Sequence, residues 1–331
     1  ATEFIKGKNR DASKPWYLWL CYGAVHGPFT PAERHLDHYE DIKVPKPKDI
    51  YPPRPGKPSY VDKMEFWESN KEGVAVERQV RKLAPVGMKD FPGRTLRDWV
   101  RQYHQGVIAI DEGVGKLLQA LKDSGQDENT LIVFTSDQGF AWGQKGFKSK
   151  VAPYNGTVAA PLIIRPLAKD AAKTAGRVVK APVSGVDLIP TFFAQAGMKL
   201  PWEMHGRDLS SLLSDPEFKW HSSALLVHTA KLYGSATDII PPKGDPALYH
   251  GPGVPWYAML ARGSFKYIRT LEEGEPEELY HIVKDPNELN NLALNKRFAK
   301  TLKNFRAATI KELKRTDAGF VNNLPHPSTK E

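Results

Sequence analysis

Asp137 and Gln138 are the two side chains whose types and position most clearly indicate chemistry. They follow an apolar run at residues 131–134 that predicts a buried strand, and open α/β sheets bind their ligands at the carboxyl ends of strands. A carboxylate and an amide carbonyl are hard oxygen ligands, which suit Ca²⁺ or Mg²⁺ better than they suit a metal that prefers thiolates. The alternative is an ordinary turn at Asp137, Gln138 and Gly139.

Three basic side chains, His26, Lys148 and Lys150, could contact an anionic substrate. His26 follows a strand-like run and precedes Gly27 and Pro28, so small or rigid neighbours can hold its imidazole at the edge of a sheet. A lone histidine is more often structural than catalytic, and a lysine is often only a solvated surface charge. The residue types alone therefore leave these roles open.

Four groups of motifs, in the same order along the chain, resemble those of the sulfatase family. The central group runs from Thr135-Ser136-Asp137-Gln138-Gly139 through Lys150 and Tyr154-Asn155-Gly156 to a strand at 161–165. The others are residues 15–20 with His26-Gly27-Pro28, residues 186–191 with 205–209, and Glu278-Leu279-Tyr280 with 285–288 and Asn291-Leu292. A single group would be weak evidence, whereas four in order make a chance match improbable.

The resemblance implies a role for each candidate residue. Asp137 and Gln138 would help to bind a divalent cation, usually calcium with magnesium as the alternative, although most relatives have Asn where Gln138 stands. His26 matches the histidine that contacts the sulfate group and gives a proton to the leaving alcohol. Lys150 matches the lysine that neutralises charge on the sulfate. Lys148 is then peripheral, and Lys145 has no assigned role.

The nucleophile of the family is absent from this sequence. Relatives begin with a strand that carries two adjacent aspartates and with a C-x-[PA]-x-R signature, whose cysteine becomes formylglycine. The single cysteine, Cys21, lacks that signature and is predicted to be a buried structural thiol. We therefore expect the chain to be the C-terminal two-thirds of a sulfatase, with formylglycine on a preceding segment, and to be inactive by itself.

Helical and strand-like patterns alternate along residues 1–228. Apolar residues recur at helical spacing from Leu96 to Leu121, and short apolar runs predict strands at 16–22, 131–136, 162–165 and 224–228. This order indicates an α/β fold with a doubly wound, mostly parallel sheet flanked by helices, which forms a first domain over 1–228. Residues 229–331 predict a second part with a small antiparallel sheet and one terminal helix over 296–314.

The segment from residue 41 to residue 60 contains six prolines and five basic residues. Prolines exclude regular structure and favour extended backbone, so we expect a solvent-facing loop. Two interpretations stay open: a rim over a binding site, which the family resemblance favours, and a plain surface loop.

The net charge of +9 favours an anionic partner. A small-molecule or carbohydrate sulfate ester fits, and the dispersed basic residues form no nucleic-acid-binding motif; the alternative is that the charge serves solubility alone. No apolar run approaches the roughly 20 residues of a membrane span. No signal peptide is visible, although the resemblance suggests a periplasmic or secreted protein, and the sequence does not give the oligomeric state.

Together these patterns predict the hydrolysis of sulfate esters by a metal-dependent sulfatase. Two alternatives stay open. One is a phosphatase or phosphodiesterase of the same alkaline-phosphatase-like superfamily, and the other is a non-catalytic remnant that binds anionic glycans. The residue at the nucleophile position would separate them, because formylglycine acts on sulfate esters whereas Ser or Thr acts on phosphate esters.

Overall fold

The computed structural model describes residues 1–27, 30–78, 95–229 and 237–328. The chain forms two compact units, which we call the first unit (Ala1–Lys46 and Phe66–Leu131) and the second unit (Pro47–Glu65 and Ile132–Glu331). The predicted domain boundary at residue 228 stays a prediction, because a compact unit is not by itself a folding domain. None of the described helices is long and apolar enough to cross a membrane.

The helices and strands have the following bounds. The α-helices are α1 (Thr2–Ile5), α2 (Ser59–Asp62), α3 (Leu96–Asp123), α4 (Asn155–Val158), α5 (Ala168–Thr174), α6 (Leu188–Gln195), α7 (Ser210–Ser214) and α8 (Ala299–Arg315). The strands are β1 (Trp67–Ser69), β2 (Ala75–Glu77), β3 (Ile132–Thr135), β4 (Ala141–Trp142), β5 (Lys148–Ser149), β6 (Leu162–Arg165), β7 (Ala224–His228), β8 (Tyr249–His250), β9 (Val254–Pro255), β10 (Tyr257–Arg262), β11 (Phe265–Thr270) and β12 (Glu278–His281).

Helix α3 is the longest element of the first unit and confirms the helical periodicity. It begins with a capping box, in which the Thr95 hydroxyl accepts from the Asp98 amide and the Asp98 carboxylate accepts from the Thr95 amide, both at 3.1 Å. It ends before Gly125, whose φ of +67° is a backbone conformation that favours glycine. The apolar stripe is only partly covered, since Val107 and Leu118 are each 40% exposed.

Residues 16–22 do not form the predicted buried strand. No described strand pairs with them, and Tyr17, Trp19, Leu20 and Tyr22 are exposed. The prediction that Cys21 is buried is also wrong, because its thiol is exposed and lies 2.6 Å from the Trp19 indole nitrogen. An apolar run becomes a buried strand only where neighbouring strands cover it, and the described residues provide none here.

Every strand pairing among the described residues is antiparallel, so the mostly parallel sheet is not confirmed. In the second unit β3 pairs with β6, and β7, which we expected to continue the parallel sheet, pairs with β10. The strand β3 lies where the apolar run predicted it but is only half-buried. An apolar run indicates that a strand exists, but its direction is set by distant chain partners.

The predicted small antiparallel sheet and terminal helix are confirmed. Strands β12, β11, β10 and β7 form one sheet in that order, and α8 packs against it. Leu302 and Phe305 of α8 contact a buried cluster on the sheet that contains Leu260, Tyr267 and Leu279. Each such side chain contributes about 1.5–3 kcal/mol by leaving water, so this sheet has its own hydrophobic core.

The proline-rich loop at 47–65 of the second unit is organised around a buried arginine. The Arg54 guanidinium donates to four backbone carbonyls of this loop, at Asp49, Ile50, Val61 and Met64, over 2.6–3.0 Å. Arg54 is only 2% exposed, so the expectation of a wholly solvent-facing loop is wrong here. Because a guanidinium satisfies several carbonyls at once, it replaces the regular hydrogen bonds that the prolines exclude.

Candidate functional site

Asp137 and Gln138 lie in a turn directly after β3 and Ser136. The Asp137 carboxylate is exposed and accepts from the Gln138 amide at 2.9 Å and from the Ser136 hydroxyl at 3.2 Å. Its other oxygen lies 3.4 Å from the Gln138 side-chain nitrogen. The turn is therefore defined by its own hydrogen bonds, and both side chains reach the surface of the second unit.

Gly139 allows this turn to approach the segment that contains α4 closely. A Cβ atom at Gly139 would lie 2.8 Å from the Gly156 carbonyl oxygen and 3.0 Å from that of Ala159, closer than a side chain allows. At the start of the turn, the Thr135 hydroxyl donates to the Pro161 carbonyl at 2.9 Å. The backbone from 156 to 161 thus fixes where the Asp137 carboxylate stands.

The donor set at Asp137 and Gln138 fits a hard divalent cation but supplies only part of its shell. Carboxylate and amide oxygens are the ligands that Ca²⁺ and Mg²⁺ prefer. Across the described residues, however, no three His, Cys, Asp or Glu side chains stand close enough to hold a metal ion. Since Ca²⁺ takes about 6–8 oxygen ligands, the turn would need further ligands from elsewhere.

Lys150 follows β5, which pairs with β4 in a short hairpin. Its side chain is half-buried, and the next residue, Val151, has a φ of +84°. The Val151 carbonyl accepts from the Tyr257 hydroxyl at 2.5 Å, and the Pro153 carbonyl accepts from the Lys266 ammonium at 3.0 Å. Side chains of strands β10 and β11 therefore anchor the loop that carries Lys150.

His26 belongs to the first unit. It lies in a turn, where its amide donates to the Gly23 carbonyl at 3.1 Å, and its Nδ1 is 2.8 Å from the Gly27 carbonyl oxygen. The imidazole is exposed and follows no described strand, so the predicted place at the edge of a sheet is not observed. Asp137, Gln138 and Lys150 lie in the second unit, whereas these two contacts of His26 lie within its own turn in the first unit.

A buried group of ionisable residues in the second unit has no counterpart in our sequence-based predictions. Three lysines take part, Lys57, Lys145 and Lys266, together with the carboxylates of Asp49, Glu278 and Glu288 and the hydroxyls of Tyr154 and Tyr280. Burial lowers the pKa of Lys57 to about 8 and raises the pKa of Glu278. The motifs at 278–280 and 285–288 gave the only signal, and the sequence assigned them no role.

A half-buried pair of histidines lies beside the Lys150 loop. His228, at the end of β7, stacks on Tyr257 with ring centroids 5.4 Å apart and meets the His250 ring at 5.0 Å. The pKa of His228 is lowered to about 4, chiefly because burial disfavours the charged ring and secondly because His250 repels it. The His228 ring packs here as an aromatic ring against Tyr257, the tyrosine that binds the Val151 carbonyl.

Comparisons with known proteins give the family and the fold. The sequence model of the Sulfatase family matches residues 1–198. The N-acetylglucosamine-6-O-sulfatase of Bacteroides thetaiotaomicron is 25% identical over 373 residues, which cover 98% of this chain and 62% of that protein. The chain thus spans less than two-thirds of that relative.

Solved structures, among them the following two, also resemble this chain. A protein in complex with its substrate D-glucosamine-2-N,6-O-disulfate has a TM-score of 0.68 at 24% identity, covering 96% of this chain and 71% of that one. The phosphonate monoester hydrolase of Silicibacter pomeroyi has a TM-score of 0.62 at 22% identity, covering 87% of this chain and 54% of that one. At these identities the likeness shows the α/β fold, of alkaline-phosphatase-like type, and no more.

Proposed function

The chain belongs to the sulfatase family, and on that basis we propose that it supplies the sulfate-binding side of a hydrolase of sulfate esters. The observation that carries the proposal is the joint placement of Asp137 and Lys150. The Asp137 turn packs on the backbone of residues 156–161, and Lys150 lies on the loop that leads into that segment of the second unit. A carboxylate that binds a cation and a lysine ammonium, both next to the same segment of chain, suit the binding of an anion.

Lys150 is the group of this chain that neutralises the sulfate. An ammonium on a half-buried stem acts as a point charge in a medium of lower dielectric than water, where it stabilises sulfate oxygens more strongly. As the ester bond breaks, charge grows on those oxygens and on the leaving oxygen. Lys150 therefore binds the transition state more tightly than the substrate, which is the condition for raising kcat.

Asp137 and Gln138 would hold a divalent cation, Ca²⁺ or Mg²⁺. When bound, that cation withdraws electron density from the sulfate oxygens. The part of this chain is to present two oxygen ligands at an exposed turn, with Gly139 fixing the turn against 156–159. In this proposal His26 gives a proton to the departing alcohol, a role that an exposed imidazole can fill.

The nucleophile is not among the residues of this chain. Its one cysteine, Cys21, stands outside a C-x-[PA]-x-R signature, so no residue of this sequence is assigned that role. The proposal therefore gives these 331 residues the binding and stabilising groups, and gives the turnover to the native protein that contains them.

The proposed substrate class is a sulfated amino sugar. The relative that is 25% identical over most of the chain is an N-acetylglucosamine-6-O-sulfatase, and the structure with a TM-score of 0.68 holds D-glucosamine-2-N,6-O-disulfate. The net charge of +9 agrees with an anionic substrate, because it attracts such a substrate over long range. Hydrolysis of a phosphonate monoester is the second candidate, favoured by the likeness to the phosphonate monoester hydrolase.

The test compares two substrates on the native protein that contains this chain, supplied with calcium. We expect kcat/KM for N-acetylglucosamine-6-sulfate to exceed that for a phenyl phosphonate monoester by about 10²-fold or more. A preference for the phosphonate would replace the proposed function with the second candidate. Tight binding of the sulfated sugar without turnover of either substrate would instead support a non-catalytic glycan-binding protein.

A further inference from the structure

The residues directly after Lys150 are held one by one by distant parts of the second unit. Four of the five positions from 151 to 155 have such an anchor. The Val151 carbonyl accepts from Tyr257, the Pro153 carbonyl from Lys266, the Tyr154 hydroxyl donates to Glu278 at 3.0 Å, and the Asn155 amide donates to Glu288 at 2.7 Å. A loop with this many anchors has little freedom to move.

The residues before Lys150 are anchored to the same place. The Lys145 ammonium, which is buried, donates to the Asn287 carbonyl at 2.7 Å and lies 3.5 Å from the Asp49 carboxylate. It also lies 4.6 Å from the centre of the Tyr154 ring. Asn287 and Glu288 are consecutive, so one short segment of chain contacts both flanks of the Lys150 loop.

The contact between Glu288 and Lys266 is a buried ion pair. Each side chain is 1% exposed, and Lys266 also donates to the Asn155 side-chain oxygen at 2.9 Å. A buried ion pair adds little net stability, because the cost of removing two charges from water offsets their attraction. It does restrict geometry, because neither partner can move away without leaving an uncompensated charge in the interior.

We propose that Asn287, Glu288 and Lys266 are positioning residues that fix the loop carrying Lys150 from both flanks, and so hold its ammonium at the sulfate group of the substrate. This inference rests on the proposed function of Lys150. It gives the motif at 285–288 a role in the reaction that acts through Lys150.

The first measurement is hydrogen exchange on the 331-residue chain. The variant Glu288→Gln keeps the size of the side chain and removes the charge that faces Lys266. Because it leaves a buried ammonium unpaired and can prevent folding, Tyr257→Phe is measured beside it, which deletes only the hydroxyl that holds Val151. We expect the amides of 150–156 to exchange about tenfold faster or more in both variants.

The matched control is Glu272→Gln, which makes the same substitution in another Lys–Glu pair of the second unit. Glu272 lies 3.3 Å from Lys243, whose side chain is 58% exposed. Exchange at 150–156 should stay at the parent rate in this variant. Unchanged exchange in Glu288→Gln and Tyr257→Phe would overturn the inference.

The second measurement is a double-mutant cycle with Lys150 in the native protein. We expect Glu288→Gln to lower kcat about tenfold with KM within about threefold, because the substrate site stays but its charge stabilisation weakens. In a Lys150→Ala background the same change should lower kcat by less than about twofold, because its effect passes through Lys150. A merely structural role would lower kcat equally in both backgrounds, which overturns the inference.

The two hypotheses can fail separately. If the parent protein hydrolyses no sulfate ester, the proposed function fails, and hydrogen exchange still decides whether Glu288 and Tyr257 hold the loop. If the parent is active and the cycle shows no coupling to Lys150, this inference fails and the proposed function stands.

Discussion

The Asp137 turn and the Lys150 loop belong to the same unit but are held in different ways. The Asp137 carboxylate is exposed and accepts from the two residues beside it, whereas the residues after Lys150 bind side chains about 100 positions or more away in sequence. Local hydrogen bonds suffice for a cation ligand, because a bound cation orders its own shell. A lysine has four flexible carbons, so its loop needs support that does not come from a ligand.

The largest effect should follow from removing the Lys150 ammonium. In the native protein Lys150→Ala should lower kcat by about 10²-fold or more, with a smaller change in KM, because the charge acts mainly in the transition state. Steady-state kinetics on an aryl sulfate measure this. Lys148→Ala is the control, since Lys148 lies within β5 opposite Trp142 and should cost far less. The reverse result would mean that the assignment of the two lysines is exchanged.

Substitutions in the Asp137 turn should change the affinity for calcium according to the ligand that remains. Asp137→Ala removes the one charged ligand, so we expect calcium affinity of the native protein to fall about tenfold or more in calorimetry. Gln138→Asn keeps a carbonyl ligand and should retain affinity within about threefold. Neither change should alter hydrogen exchange at 150–156, which keeps the two regions distinct. Equal calcium affinity in Asp137→Ala and the parent would contradict the metal assignment.

The smallest effect concerns pH and the His228 ring behind the Lys150 loop. The folded pKa is lowered to about 4 from 6.5, so between these pH values the unfolded chain binds a proton that the folded chain refuses. Stability is therefore complete above pH 6.5 and falls as the pH drops toward 4. The ring is partly exposed, which limits the effect to about 2–4 °C in Tm.

Thermal unfolding of the 331-residue chain at several pH values measures this contribution. His228→Gln should reduce the loss of Tm between pH 6.5 and pH 4.5, because Gln takes up no proton. His221→Gln, at an exposed position of the same unit, should leave the pH dependence as it is in the parent. A steeper loss in His228→Gln than in the parent would show that the sign is wrong.

The exposed turn was predictable from sequence, and the support of the Lys150 loop was not. A strand that ends in Thr, Ser and Asp is a local pattern, and β3 with its turn lies where that pattern predicted. The ion pair of Lys266 with Glu288 is one of several pairings that three lysines and several carboxylates could form. The spacing of these residues along the sequence does not select it. The apolar run of β7 likewise predicted that a strand exists, but it did not predict the antiparallel pairing with β10.

Residues 16–22 show a different limit. Their apolar run has the composition of a buried strand, yet burial depends on what covers the run and not on its own composition. The Cys21 prediction was wrong for the same reason, because it assumed the cover. The assignments of His26, Asp137, Gln138 and Lys150 rest on family resemblance and stay predictions until the variants are measured.

The arginine at the centre of the proline-rich loop has a consequence for how this protein can change. The Arg54 guanidinium binds its loop through backbone carbonyls, at Asp49, Ile50, Val61 and Met64, while the Arg54 amide donates to the Asp62 carboxylate at 2.7 Å. Carbonyls are present whatever side chain a position carries, so outward-facing positions of 47–65 can be replaced without removing what folds them. Evolution and protein engineering can therefore diversify the outward-facing side chains of this loop while the Arg54 guanidinium helps to preserve its shape.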